Sequence, residues 1–159
     1  MEATMTTFSI IDYTPQYKEA FKSLNYEWMR PFKISLYRQL LLNDPEMHII
    51  NKGGKIFFVE TDKKIIATCA LIRESNKVYE IADMAVTPAY QGQHIGKSLV
   101  QHAIEKAKAL GAKQVYVVVN STLKPALEMY SAYSFREVPL DPEMSDIGEN
   151  EIKMVLNLK

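Results

Sequence analysis

The sequence predicts a mixed α+β fold, a central and mostly antiparallel sheet with one parallel strand pair, flanked by helices. Three observations carry that expectation. Between Gly53 and Thr87 three β-rich runs succeed one another through connections of only a few residues, which suits antiparallel neighbours. From residue 78 to residue 119 an apolar strand, an amphipathic helical stretch and a β-branched run follow in order, the crossover that makes two strands parallel. Helical spacing of apolar residues then recurs before the first run and after the last.

Taken in order, residues 8–12 read as a short strand closed by Thr14-Pro15, and Tyr17, Phe21, Leu24 and Trp28 follow at helical spacing. Arg30-Pro31-Phe32 breaks that helix, and residues 36–42 form a second, stopped by Asn43-Asp44-Pro45. The three β runs, 55–60, 65–73 and 78–86, make an antiparallel meander. Ile95, Leu99, Ala103, Ala107 and Leu110 line one face of the next helix, which Gly111 ends, and residues 115–119 are the crossover strand. Thr122 is placed to cap a further helix, with Pro125 in its first turn and Ala126, Met129, Tyr130 and Tyr133 on one stripe. Residues 135–138 and 152–158 give two last strands around an acidic loop, 141–151.

A chain of 159 residues, 47% of them hydrophobic, suits one domain, 1–159, with residues 1–6 expected to be flexible. Lysines plus arginines balance aspartates plus glutamates at 19 each, so no global field favours nucleic acid or an anionic membrane. Neither is expected as a partner. The single cysteine, Cys69, lies in the apolar run 65–72, which excludes an internal disulfide and suits a reducing compartment. The first seven residues resemble no secretory signal, and no apolar run approaches the ~18 residues of a membrane span. The expected location is the cytoplasm.

The segment Gln91-Gly92-Gln93-His94-Ile95-Gly96-Lys97-Ser98 leads from a strand into a helix. A helix start presents backbone N–H groups with no intrahelical partner and the positive end of the helix dipole, so it favours an anion such as a phosphate. Gly92 to Ser98 invites comparison with the nucleotide-triphosphate loop Gly-x-x-x-x-Gly-Lys-[Ser/Thr]. Its spacing fails by one residue, because the first glycine would fall on Gln91.

The closer resemblance is to the GNAT family of N-acetyltransferases. Met84-Ala85-Val86-Thr87-Pro88 followed by Tyr90-Gln91-Gly92-Gln93-His94-Ile95-Gly96 resembles the family's motif [Arg/Gln]-x-x-Gly-x-[Gly/Ala] after a strand ending in Val-x-Pro. Gln91 and Gly96 match, and His94 stands where the first glycine is usual. A non-glycine is tolerable there if its φ stays negative, and its imidazole either contributes to a pyrophosphate or faces solvent. Farther on, Asn120 and then Ala126-x-x-x-Tyr130-x-x-x-Ser134-Phe135 resemble the family's Ala-x-x-x-Tyr-x-x-x-Gly-Phe signature, with Ser134 for glycine and Leu123 where an asparagine is common. The order of elements is also the family's. The resemblance implies the GNAT acyl-CoA N-acyltransferase fold, with its parallel strand pair splayed, and acetyl-CoA as cosubstrate without a metal. It implies cofactor contacts from Met84, Ala85, Val86, residues 91–98 (Gln91, Gly92, Gln93, His94, Ile95, Gly96, Lys97, Ser98) and Asn120. Family members often pair through their sheets, so a homodimer is also implied.

Acetyl transfer to an amine needs a proton acceptor, a donor for the developing oxyanion and a proton for the leaving thiolate. Glu80 is the candidate base: Val78, Ala82, Met84 and Val86 alternate with it, so it is expected among apolar side chains where desolvation favours a proton. The resemblance adds that histone-acetylating members carry a glutamate six residues before the motif valine. Pairing with a lysine at a sheet margin, or a bulge that turns Glu80 outward, is the competing structural role. Asp83 is expected on the opposite face with Tyr79 and Ile81, as a structural partner. Tyr130 is the candidate acid, from the family's tyrosine at the cofactor sulfur, although its stripe equally suits a core residue. The Val86 N–H is the candidate oxyanion donor.

The acceptor walls implied by the family bring in Glu27, Trp28, Phe32 and Tyr37, and the carboxylates Asp141, Glu143, Asp146, Glu149 and Glu151. Each is equally at home in a core or on a solvated surface. The expected function is transfer of acetyl from acetyl-CoA to a primary amine of a small molecule or peptide. A CoA-binding sensor without turnover and, more remotely, a nucleotide-triphosphate enzyme are the alternatives.

Overall fold

The computed structural model describes residues 7–31, 34–140 and 150–159. The expected flexibility of residues 1–6, together with Phe32, Asp141, Glu143, Asp146 and Glu149, lies outside these. The strands are β1 (Ser9–Asp12), β2 (Lys55–Thr61), β3 (Lys64–Arg73), β4 (Val78–Val86), β5 (Gln114–Asn120), β6 (Arg136–Val138) and β7 (Glu151–Asn157). The helices are α1 (Lys18–Met29), α2 (Leu36–Asn43), the single turn α3 (Pro45–His48), α4 (Ile95–Ala109) and α5 (Lys124–Ala132). All seven strands join one sheet in the order β1-β2-β3-β4-β5-β7-β6.

β1 to β4 form the antiparallel meander. The crossover through α4 makes β5 parallel to β4, and β7 enters antiparallel between β5 and β6. The α+β architecture with one parallel pair is thus as the sequence predicts. That pair is short: Val78–Gln114, Tyr79–Val115 and Glu80–Tyr116 are in register, and the strands then part. Both continue several residues beyond the last pair, so a gap opens in the middle of the sheet.

Each face of the sheet carries a core. On one, Leu99, Val100, Ala103 and Ala107 of α4 and Tyr130 of α5 bury against Phe57, Val59, Ile81 and Val115. On the other, Phe21 and Met29 of α1 and Leu41 and Leu42 of α2 cover Ile56, Phe58 and Ala70. Alternation along β2 divides its residues between the two cores, as period two requires. Leu110, expected on the buried stripe of α4, is 39% exposed, since it lies beyond the last helical turn. Asp44, read only as part of a stop signal, accepts a hydrogen bond from the Met47 N–H and so starts α3.

β4 departs from the expected alternation. Thr68 pairs with Ala85 and Ala70 with Ala82, so Cys69 faces two residues, Asp83 and Met84, across a β-bulge. Asp83 takes a left-handed φ of 51°. Tyr79 and Ile81 point to the α4 core before the bulge, and Met84 and Val86 point to the same core after it. Met84 and Val86 therefore do not share the face of Glu80, and Asp83 is not opposite it. The inserted residue shifts the phase by one, which sends every following side chain to the other face.

Candidate active site

The gap between β4 and β5 is a groove of about 540 Å³. Its walls include Asp83 to Val86 of β4, Val117 to Asn120 of β5, Trp28 of α1, Met129 and Tyr130 of α5, and Glu151 at the start of β7. A parallel pair that separates leaves backbone groups of both strands without ladder partners on the inner side. At Val86 the direction is fixed by the next residue: the Thr87 N–H donates to the Ile66 carbonyl across 2.8 Å, and antiparallel alternation then turns the Val86 N–H away from β3, toward the groove. The Val86 carbonyl accepts from Gln91 Nε2 at 3.0 Å, which pins the following loop to the strand end.

That loop delivers the chain into α4 above the groove. His94 is the N-cap of α4 but gives no side-chain cap, so the first-turn N–H groups are left to an external acceptor. An added Cβ at Gly92, whose φ is 84°, would meet nothing within 4 Å, so the loop is open on that side. His94 has a φ of 62°. The requirement of a negative φ is therefore overturned: the histidine adopts the left-handed conformation that a glycine would take at less cost. The backbone of Gly96 stands over Met84 and Met129, whose sulfurs would be 3.7 and 3.9 Å from a Cβ there. Tyr133 Oη donates to the Lys97 carbonyl at 3.2 Å and ties α5 to this turn. Ser98 donates back to the His94 carbonyl, and Gln93, Lys97 and Ser98 are exposed.

Tyr130 lies in the groove wall and is buried, its ring edge-on to Phe135 at 5.3 Å. Burial, followed by the nearby Cys69 thiol, raises its pKa above the ordinary phenol value, so the hydroxyl keeps its proton at neutral pH. α5 ends in a double backbone cap, with the Phe135 N–H on the Tyr130 carbonyl and the Ser134 N–H on that of Ser131. This fixes Tyr130 at both backbone and ring. Burial also raises the pKa of the Cys69 thiol, and Asp83 adds to the effect. Cys69 is buried, a filler beneath the bulge.

Glu80 does not line the groove. It sits at the last in-register pair, opposite Tyr116, and its Oε2 is 3.7 Å from Arg38 Nη2. The expected apolar surroundings are replaced by a polar cluster, because the bulge brings Asp83 to the same face and Arg38 Nη1 reaches Asp83 Oδ1 at 3.1 Å. Arg38 is 5% exposed. No motif in the sequence marks it as functional, although its spacing of three and four residues from the buried Leu41 and Leu42 signals an inward position on α2. Tyr116 is likewise unmarked by any motif; burial and then Glu80 raise its pKa, and Lys153 Nζ lies 4.4 Å from its ring centroid.

Of the acceptor-wall candidates, Trp28 and Glu151 reach the groove. Glu27 Oε1 instead accepts from the Thr87 hydroxyl at 3.5 Å, and Tyr37 is half exposed with Arg38 over its ring. Thr122 does not cap α5, whose N-cap is Leu123 without a side-chain bond. Asn120 Oδ1 accepts from both the N–H and the hydroxyl of Thr122, forming a turn at the groove end of β5. Among the described residues no group of three His, Cys, Asp or Glu side chains is placed to hold a metal ion.

A sheet parted beneath a helix start is the architecture of acyl-CoA N-acyltransferases. An acetyltransferase of the GNAT family from Staphylococcus aureus Mu50 superposes with a TM-score of 0.83 at 25% identity, covering 96% of this chain and all of that one. A putative acetyltransferase from Salmonella typhimurium, solved with its cofactor acetyl-CoA, shares the fold with a TM-score of 0.74 at 14% identity, over 96% and 95% of the two chains. The uncharacterized N-acetyltransferase YvbK of Bacillus subtilis is 30% identical over 74% of this chain and 82% of its own length. The model of the acetyltransferase (GNAT) family matches residues 15–135, and the chain belongs to that family.

Proposed function

We propose that this chain transfers an acetyl group from acetyl-CoA to a primary amine of a small molecule or peptide, by direct attack within a ternary complex. The observation that carries the reading is the groove where β4 and β5 part, directly below an open helix-start loop. Its length of unpaired strand edge suits an extended amide-bearing arm paired like an added strand along Met84, Ala85 and Val86. Within the Gln91–Ser98 loop the N–H groups between Gly92 and Lys97 are offered to a pyrophosphate, those of Gln91 and Ser98 being donated to the Pro88 and His94 carbonyls, and Asn120 closes the far rim. Acetyl-CoA supplies an activated acyl group with a thiolate leaving group. In this reading the Val86 N–H holds the developing oxyanion, and the protonated Tyr130 hydroxyl gives the thiolate its proton.

Among the described residues, the charged ones in the groove wall are Asp83 and Glu151, both acidic, which favours an amine acceptor over an anionic one. The proton from the amine is proposed to leave through the acidic cluster at the apex of the parting strands, where Glu80 retains the role of base and Asp83 stands nearer the groove. Reading residues 1–159 as one cytoplasmic N-acetyltransferase domain belongs to the same proposal, supported by a sheet that runs through every described strand. No described helix is long and apolar enough to cross a membrane.

The test is a thiol-release screen with acetyl-CoA against panels of amines, amino acids and peptides, followed by Glu80→Gln and Tyr130→Phe. An enzyme loses about 100-fold or more in turnover with Tyr130→Phe and retains its affinity for acetyl-CoA. A chain that binds acetyl-CoA and releases no thiol with any acceptor would instead be a sensor, and the catalytic assignment would be withdrawn.

A further inference from the structure

Resting on the acetyl-transfer reading above, we propose that Arg38 is a positioning residue of this site: its guanidinium holds Asp83 in the β4 bulge and so fixes the stretch of groove wall, Asp83 to Val86, against which the acceptor amine is received, while Glu80 braces Arg38 from the other side. Four observations meet at this point. Asp83 belongs to the groove wall and Glu80 does not. Asp83 occupies a left-handed conformation, φ 51°, uncommon for a residue other than glycine but taken by aspartate more readily than by most. A contact that holds its side chain comes from a different element, Arg38 Nη1 of α2 at 3.1 Å, and is buried on both sides, with side chains 6% and 1% exposed. The second arm of the same guanidinium is turned toward Glu80 Oε2 at 3.7 Å.

A planar fork held between two carboxylates fixes direction as well as charge. Through it, the placement of α2 sets the placement of Asp83, and Asp83 stands three residues from the N–H of Val86. Trp28 of α1 lies in the same wall, so the amine would be received between the bulged strand and α1, both set by the helical layer that covers this face. Arg38 itself touches neither acceptor nor acetyl-CoA.

The experiment compares Arg38→Gln, Arg38→Lys, Asp83→Asn and the Arg38→Gln/Asp83→Asn pair, using the amine that turns over fastest in the panel. Arg38→Gln and Asp83→Asn should each raise acceptor KM about tenfold or more, since displacement of a positioned group by about 1 Å is enough, and leave acetyl-CoA affinity within about twofold. The double variant should be no worse than Asp83→Asn alone, because the two act as one unit. Arg38→Lys should recover part of the loss. Additive effects, an unchanged acceptor KM, or a loss confined to acetyl-CoA binding would overturn the proposal. A second readout does not depend on turnover: amide hydrogen exchange at residues 83–86 should quicken in Arg38→Gln relative to wild type and slow again in Arg38→Lys. Unchanged exchange would end the positioning role even if the chain proved to transfer nothing, and failure of wild type in the screen would count against the acetyl-transfer reading alone.

Discussion

His94 and Ser134 stand where the family motif usually has glycine, and both take positive φ, 62° and 72°. The fold has kept the backbone geometry and replaced the residue. A side chain in the left-handed region costs about 1–2 kcal/mol, while glycine carries about 0.5–1 kcal/mol of extra chain entropy on folding. Glycine is therefore ahead at both sites by a small margin. His94→Gly and Ser134→Gly should each stabilise the chain by up to about 1 kcal/mol, additively because the sites share no partner, as read from denaturant midpoints. His94→Gly should also leave acetyl-CoA affinity equal or higher. A drop in affinity with stability gained would show that the imidazole itself contacts the pyrophosphate.

At the scale of elements, α4 does two jobs that pull on different residues. Its N-terminus must stay open above the groove, and its body must pack on β2 to β5. His102 belongs to the second task, edge-on to Phe57 with ring centroids 4.6 Å apart. Burial lowers its pKa below the ordinary 6.5, and Lys106 one turn on adds to this, against smaller opposing effects of Asp12 and Glu105. The unfolded chain thus takes up a proton first as the pH falls, so stability present above about 6.5 is lost on acidification through the lowered value. His102→Gln should flatten that loss between pH 7 and 5.5 in thermal melts, and an unaltered slope would refute it. The sequence revealed α4 except for the exposed Leu110 at its end and the φ of His94 at its start, since its apolar stripe and the Gly111 stop are local signals. The β4 bulge was illegible for a physical reason: Ala82 and Ala85 fit either face, so the apolar pattern does not show which residue is the extra one. The misplacement of Asp83, Met84 and Val86, and of the surroundings of Glu80, follows from that single missed residue. Arg38 was missed differently, since its partners lie 42 and 45 residues away on β4 and no local pattern records such a contact.

On the scale of the whole molecule, the sheet is two sub-sheets, β1 to β4 and β5-β7-β6, joined by three in-register residue pairs and by helices α4 and α5 across one face. The gap that makes the site is also the short seam between these two sub-sheets. A ligand paired along β4 and gripped by the loop before α4 would bridge that seam, so its binding energy should appear as global stability. For a ligand that binds only the folded chain, the gain is about 2.7 kcal/mol at 100 times the Kd. Acetyl-CoA should therefore raise the melting temperature in a concentration-dependent way and slow hydrogen exchange on both sides of the gap, at residues 84–86 and 117–120. The β1–β2 edge should be unaffected. ATP at the same concentration should do neither, because the loop lacks the glycine at position 91 that a triphosphate nest requires. Stabilisation by ATP and none by acetyl-CoA would remove the acyl-transfer reading, and stabilisation by acetyl-CoA without protection across the gap would place the thioester arm somewhere other than between β4 and β5.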